Sequence, residues 1–371
     1  MKIKAEKKVL LEAVTPTLSA LSSKALIPAL ECIYVKAENG ILTITGYDLS
    51  KGVRTENSVN IEEEGSLLLN AQKLNSIIRT LPEGIVEITT DKDYKVTIVS
   101  GKIKFEIIGL PTDGYPSIPE LAGDRSFDIP KGILKKLCQQ LLFSVSVDEK
   151  RPQLTGINFE INEDKMTLVS CDGFRLSIRH ETVKSNELMQ FIVPGRTLSE
   201  LMKLLDDSDD VITVELTNKH MIMHFDNLYF FSRLIEGEYI DYLKPIPKDT
   251  TVEVKVKLDD IIASCERASL VIDERVKSPV KITVAPGGLL LSCDSVNGKV
   301  RDEIPASTSG ELDIGFNNKY LLDALRAASM CGDDEVMLRM KSPLVGMSIQ
   351  PIDHDSFFYL VLPVRLNDDN N

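Results

Sequence analysis

The segment LTITGYD, residues 42–48, is the stretch on which the fold turns. It reads as a strand that closes on an aspartate. MTLVSCD at 166–172 repeats it, and LLLSCD at 289–294 repeats it again. The closing residues Asp48, Asp172 and Asp294 stand 124 and 122 residues apart, and the last two copies share Ser-Cys-Asp. A period near 123 residues has the length of a domain, not of a solenoid unit.

Working outward, a second marker keeps the same spacing. Leu74, Ile77, Ile78 and Leu81 fall at i, i+3, i+4 and i+7, the apolar stripe of a helix. Leu198, Leu201, Met202 and Leu205 repeat it, as do Leu321, Ala324, Leu325 and Ala328. Each stripe follows a strand-like stretch: SLLLNA, QFIVPG and ELDIGF. Each precedes alternating strands, as in GIVEITTDKDYKVTIVSGKIKFEIIG at 84–109. A first helix opens each repeat, over 7–24, 131–146 and 258–270, and Pro16 should kink or split the first of them. A proline and then a strand follow each: IPALECIYV, RPQLTGINFEI and SPVKITV. Asp148-Glu149-Lys150 and Asp273-Glu274-Arg275 stand before the last two prolines. The expected fold class is therefore α+β: three repeated domains, each with two helices and antiparallel sheets. Polar, turn-rich junctions near 123–132 and 244–250 place the domains at 1–124, 125–247 and 248–371.

The 371 residues are 43% hydrophobic and 27% charged, which excludes a largely disordered chain. No apolar run approaches a membrane span, and the N-terminus has no secretory h-region, so the expected location is cytoplasmic. The six cysteines, Cys32, Cys138, Cys171, Cys265, Cys293 and Cys331, form no C-x-x-C pair and read as small buried hydrophobes.

The net charge of −13 argues against a nucleic-acid binder until its distribution is examined. The six predicted helices, the second of each pair being 71–81, 196–205 and 318–330, together carry +7, leaving −20 on the rest. Arg79, Lys203 and Arg326 each follow the first stripe residue by five positions, and Lys73, Arg196 and Lys319 precede the stripes. At 3.6 residues per turn these bases lie off the apolar stripe. Helix 258–270 departs from the pattern at −2. A basic helical face on an acidic body suits a polyanion met without base reading. There is no Trp and no aromatic-interleaved basic run for stacking on single strands.

Catalytic signatures are absent: no Walker phosphate loop, no G-x-G-x-x-G, no G-x-S-x-G. His220 and His224 share one face of a strand at roughly 13 Å, too far apart for one metal. Asp48, Asp172 and Asp294 read as strand-end turn residues bonding their own backbone. The expectation is no enzyme, no cofactor and no metal.

With these residues in hand, the sequence resembles the bacterial replicative sliding clamp, the beta subunit of DNA polymerase III. The most specific pieces are MKIKAEKKVLLEAV at 1–14, CDGFRLS at 171–177, VPGRTLSELMKLL at 193–205 and the tail YLVLPVRL at 359–366. The resemblance implies a head-to-tail dimer, a ring of six similar domains with twelve helices lining the hole. Twelve helices at about 9 Å spacing enclose a hole of roughly 24 Å after helix widths are subtracted, enough for a duplex. The implied function is a DNA sliding clamp that encircles duplex DNA without sequence preference, tethers the replicative polymerase and confers processivity. Implied DNA-facing bases are Lys24, Lys73, Arg79, Lys135, Lys136, Lys150, Arg196, Lys203 and Arg326; Lys24 and Arg196 match DNA-contacting positions of the family. At Asp148 the family often carries an uncharged polar residue.

The family also binds short linear peptides of its partners (polymerase, clamp loader, repair and translesion polymerases) in an apolar groove. Carried over by motif, the groove comprises Leu154, Thr155, Gly173, Phe174, Arg175 and Leu176. Ile240, Lys244 and Pro245 join it from the interdomain segment, and Leu360, Val361, Leu362, Pro363, Val364 and Arg365 from the tail. Other members often carry Pro, Arg and Val at the positions of Ile240, Lys244 and Pro245. The implied homodimer interface takes Phe105 and Ile107 from the first domain, Leu270 and Val271 from the third. The alternative reading is a three-domain protein-binding scaffold without DNA encirclement, indifferent to DNA topology.

Overall fold

The structure, a computed structural model, describes residues 1–21, 27–116, 119–185, 187–272 and 278–366. Lys24, Asp273-Glu274-Arg275 and the trailing residues 367–371 lie outside the described residues.

Among the described residues six α-helices form where the sequence reading expects them: α1 (Lys7–Val14), α2 (Ala71–Thr80), α3 (Lys131–Leu141), α4 (Gly195–Leu201), α5 (Leu258–Ser269) and α6 (Asn318–Ser329). Pro16 ends the first as expected, because a proline lacks the N–H that the next turn needs. A 3-10 turn, Pro16–Ala20, continues from it. The helix expected over 131–146 tightens after Leu141 into a 3-10 turn, Leu142–Ser144. The one expected over 196–205 stops at Leu201. Beyond it the Asp206 carboxylate accepts from Ser208 N (3.1 Å) and Ser208 Oγ (2.6 Å), so turn chemistry takes over. Asn70 and Asn317 cap α2 and α6, accepting from Lys73 N and Lys319 N respectively.

Packing divides the chain into two compact units, residues 1–131 with 197–234, and 132–196 with 235–371. The second repeat thus contributes strands to both. The first unit holds a five-stranded sheet in the order Asn60–Glu63, Lys2–Glu6, Ile85–Thr90, Lys95–Ser100, Ile103–Ile108. It also holds an eight-stranded sheet: Arg125–Pro130, Val211–Leu216, His220–Phe225, Leu228–Arg233, Lys51–Ser58, Ile41–Tyr47, Cys32–Glu38, Gly65–Asn70. In the second unit twelve strands run Met189–Pro194, Gly156–Asn162, Lys165–Cys171, Arg175–Thr182, Phe357–Val361, Met347–Gln350, Glu335–Met340, Val252–Lys257, Gly298–Thr308, Gly288–Ser295, Val280–Ala285, Leu312–Phe316. The strand pairs are antiparallel.

Two of these pairings join one repeat to the next. Leu228–Arg233 pairs with Lys51–Ser58, Ser232 facing Lys51. Phe357–Val361 pairs with Arg175–Thr182, Val361 facing Arg175. A bridge also recurs once per repeat, Leu68 to Leu110, Ile192 to Ile235 and Gly315 to Val364. It ties the strand before each second helix to the chain leaving each last strand.

In the first repeat α1 and α2 bury Leu10, Val14, Leu74 and Ile78 against Ile33, Ile44, Leu67, Ile88 and Ile98. Ile107, expected at an interface, belongs to this core and is 8% exposed. Alternation along Ile103–Ile108 turns it inward and leaves Ile108 71% exposed. In the third repeat α5 and α6 bury Ile261, Cys265, Leu321 and Leu325 against Val254, Ile282, Leu291 and Phe316.

Candidate functional site

The strand-end aspartate Asp172 builds the turn at the groove. Asp172 Oδ1 accepts from Phe174 N (2.9 Å) and Arg175 N (3.0 Å), and Oδ2 accepts from Arg175 Nε (3.0 Å). Asp48 does the same with Ser50 N, Lys51 N and Lys51 Nζ at 2.9, 2.8 and 2.9 Å. Burial pushes the Asp48 carboxyl up, but the hydrogen bonds from Ser50 and Lys51 and the Lys51 charge outweigh it and hold it below its ordinary value. These two turns match the expectation. Asp294 does not: it lies inside strand Gly288–Ser295, opposite Lys299, with which it makes an ion pair.

Arg175 is the hub of the second turn. Its side chain is 9% exposed. Besides Asp172 it donates to Asp323 Oδ2 of α6 (2.7 Å) and to the Phe143 carbonyl. Its guanidinium stacks between the Tyr320 and Phe143 rings, 4.4 and 5.0 Å from their centroids. Arg175 therefore braces the groove and has no free charge to offer a ligand.

Around this brace, Leu154, Leu176 and Leu360 form a buried floor with Val169, Cys171 and Ile178, flanked by Tyr239, Tyr242 and Ile246. Phe174, Ile240, Leu243, Leu344 and Leu362 are exposed apolar groups of the same repeats. The Phe174 carbonyl accepts from Leu362 N at 2.8 Å, tying the turn to the tail. Phe174 and Tyr320 lie ring to ring at 5.7 Å. Beyond Tyr320 a cleft of about 440 Å³ opens, lined in part by Ser269, Ile272, Ser278, Asn318 and Asp323. An apolar floor with few, fixed polar groups accepts aliphatic and aromatic side chains of a peptide.

Of the carried-over groove set, Leu154, Leu176 and Leu360 share one cluster and Phe174 is tied to Leu362. Gly173 is exposed at φ +89°, a conformation that favours glycine. Lys244, Pro245 and Arg365 are exposed, Pro363 and Val364 half-buried, and Thr155 donates its hydroxyl to the Pro152 carbonyl. Val361 is a correction: fully buried in the third-repeat core, it is no groove wall, because alternate strand residues face opposite sides.

Among the predicted bases, Lys73, Arg79, Lys136, Lys150, Arg196, Lys203 and Arg326 are exposed and Lys135 half-buried. Lys203 lies beyond the end of α4 and pairs with Glu200 at 2.8 Å. Arg326 pairs with Glu266 of α5 at 2.7 Å. Lys131, counted in the helical charge, is buried and hydrogen-bonded to both carboxylate oxygens of Asp226 at 3.0 Å, so the surface face is less basic than the sum. Among the described residues no cluster of His, Cys, Asp or Glu is arranged to hold a metal. Leu270 is 84% exposed, while Val271 and Phe105 are half-buried against the cores of their own repeats.

Family models for the DNA polymerase III beta subunit match the chain end to end: the N-terminal domain at residues 1–119, the central domain at 128–241 and the C-terminal domain at 244–365. The chain belongs to the DNA polymerase III beta subunit family. The beta sliding clamp of Bacillus subtilis is 32% identical, with 98% of this chain and 100% of that protein covered. The crystal structure of the DNA polymerase sliding clamp from Bacillus subtilis superposes with a TM-score of 0.94 at 31% identity, over 99% of this chain and 100% of that one. A structure described as a putative DNA polymerase III beta subunit from Eubacterium rectale gives 0.93 at 32% identity, over the same shares.

Within this beta subunit fold, sequence reasoning missed Tyr320, Asp323 and Phe143. Tyr320 carried one signal, an aromatic set one place before the stripe residue Leu321. Asp323 and Phe143 carried none, because Arg175 reaches them across 148 and 32 residues.

Proposed function

We propose that the chain is a DNA sliding clamp that encircles duplex DNA as a head-to-tail homodimer and tethers the replicative polymerase. Family membership over the whole chain supports the activity, and one observation supports the ring. The strand ending the first repeat, Ile103–Ile108, pairs among the described residues only with Lys95–Ser100. Its counterparts, Leu228–Arg233 and Phe357–Val361, each join another repeat. At the other end, Gly298–Thr308 pairs with Val252–Lys257 only through its last residues, 306–308. Along residues 298–305 its far side is open among the described residues. The repeat series thus ends on two unmatched edges, and a second copy supplies the match for each. Ile103, Ile108, Leu110, Leu270 and Val296 are exposed apolar groups near these edges; with Phe105 and Val271 they form the proposed interface.

In this reading the domains run 1–124, 125–247 and 248–371. The exposed bases on α2, α3, α4 and α6, with Lys24 and Lys150, attract the duplex weakly enough for sliding. The groove around Phe174, Leu154 and Leu362 takes linear peptides of polymerases and the clamp loader. The protein works in the cytoplasm and catalyses nothing itself; no described helix is long and apolar enough to cross a membrane.

The test is retention on circular against linearised DNA after loading by a matched clamp loader with ATP. Release on linearisation alone supports encirclement. Equal retention on both topologies would return the protein to the scaffold reading.

A further inference from the structure

The two strand pairings that join one repeat to the next make two seams of the same build. Phe231 faces Gly52 at the first, as Leu360 faces Leu176 at the second. The Ser50 carbonyl accepts from Arg233 N at 2.7 Å, as the Phe174 carbonyl accepts from Leu362 N at 2.8 Å. Leu30 sits in a 3-10 turn opened by a proline, Pro28–Glu31, as Leu154 does in Pro152–Thr155. Leu30 shares a buried cluster with Tyr47, Tyr229 and Phe231, and Tyr115 packs against it. Leu154 does the same with Leu176 and Leu360, and Tyr239 packs against them. The first seam therefore repeats the floor that the second offers to a peptide.

Its filling is different. Gly52 has no side chain where the second seam has Leu176, and the Phe231 ring takes that room. A Cβ on Gly52 would lie 2.2 Å from Phe231 Cε1 and 2.6 Å from its Cζ. The Tyr47 and Tyr229 rings each lie 5.7 Å from the Phe231 ring, and His220 meets it edge-on at 6.4 Å. Phe231 is 1% exposed. A ring packed this way leaves no space for an entering side chain. The rim differs as well. Ser50 and Arg233 are exposed where the second seam exposes Phe174 and Leu362. Arg54 stands where the second seam has Ile178, its guanidinium 4.8 Å from the Tyr229 ring centroid. An apolar segment laid across this rim would cover the Arg233 charge and give it no partner.

We propose that Phe231, seated on Gly52, is a specificity-determining residue: it shuts the first seam to linear peptides and confines them to the second. The proposal rests on the second seam being the peptide groove. The choice lies between two sites of one chain. Filling and an uncompensated charge at the wrong site decide it, alongside the apolar rim at the right one.

The experiment irradiates the full-length protein with the peptide Gly-Leu-Gly-Leu-Phe carrying an N-terminal benzophenone, then maps the adducts by mass spectrometry. In the unaltered protein, adducts should fall on the second seam, with those on the first at least about tenfold rarer. Phe231→Leu with Arg233→Leu should raise labelling of the first seam about tenfold and leave the second unchanged. Comparable labelling of both seams in the unaltered protein overturns the proposal. So does a folded double variant without adducts on its first seam. Should that variant not fold, Leu176→Gly with Leu360→Phe moves the plug to the second seam and should cut labelling there about tenfold. Unchanged labelling in that folded variant overturns the proposal too. First-seam adducts in the Phe231→Leu, Arg233→Leu protein, with none on the second seam of any protein, would support the plug and sink the groove assignment instead.

Discussion

Each marker segment ends on an aspartate paired with a base, yet the three pairs differ in their surroundings. At the Asp48–Lys51 pair the side chains are 13% and 6% exposed, and at Asp172–Arg175 they are 13% and 9%. At Asp294–Lys299 they are 65% and 75% exposed. Cross-strand register makes the three bases equivalent: Tyr47 faces Gly52, Cys171 faces Leu176 and Cys293 faces Val300. Two extra residues in the third copy turn a tight Asx turn into a hairpin tip. The deeper difference is what comes next. The strand after each of the first two pairs is covered by a strand of the following repeat, whereas residues 298–305 after the third are paired on one side only among the described residues. The same charges are a buried brace at a closed seam and a solvated pair at an open one.

The sharpest way to break this comparison is to remove the base. Arg175→Ala leaves Asp172, Asp323 and the Phe143 carbonyl without their donor and should cost about 3–5 kcal/mol, since a buried pair that loses one member strands the other. Lys299→Ala should leave the monomer's stability unchanged within error, as exposed pairs contribute little. Thermal or urea unfolding of both variants decides; equal losses would mean that burial is not what separates the seams.

If a second copy closes the open seam, its effects appear in association rather than folding. Ile108→Asp with Leu270→Asp should weaken the dimer by about 100-fold or more, because each places an unpaired carboxylate in an apolar contact. Sedimentation at micromolar concentration would show a monomer with unchanged circular dichroism. Lys299→Ala, silent in folding, should weaken the dimer severalfold. A dimer unaffected by all three changes would locate the interface elsewhere.

Acid offers a third probe. The Asp48 carboxyl sits below its ordinary value in the folded chain. Its contribution is present above the unfolded value, near 4, and disappears as pH falls through the folded one. Asp48→Asn should therefore flatten the loss of stability as pH falls from 5 towards 2. Unfolding midpoints against pH, with Asp294→Asn as the exposed control, test the sign.

How much of this was legible depends on the distance over which each feature is decided. The stripes at Leu74, Leu198 and Leu321 are local, and helices formed at all three. The split at Pro16 is local too. Lys131 looked like any surface base, because Asp226, which buries it, arrives from 95 residues away. Val361 and Ile107 fell to the same error. An apolar residue on a strand was assigned to a surface before its face was known, and a one-residue shift separates groove floor Leu360 from core Val361. The two-residue insertion after Asp294 is visible only as the distance to the next paired base, five positions to Lys299 against three from Asp48 to Lys51 and from Asp172 to Arg175, and its meaning needed the register.

The smallest effect sits at the residue after each turn aspartate. Gly173 adopts φ +89° and Leu49, its counterpart, φ +74°. A left-handed conformation suits glycine and strains a leucine by about 1 kcal/mol. Leu49 is 46% exposed, so little apolar burial offsets that strain. Leu49→Gly relieves it but adds backbone freedom to the unfolded chain, leaving a net gain of roughly 0.5 kcal/mol. Gly173→Ala should show the reverse, a loss of about 1 kcal/mol, because a Cβ there meets nothing within 4 Å and the cost is conformational alone. Opposite signs in urea midpoints would establish that both seams use one turn geometry and differ only in how well the residue suits it. A loss at both positions would mean that the Leu49 side chain holds something the turn needs.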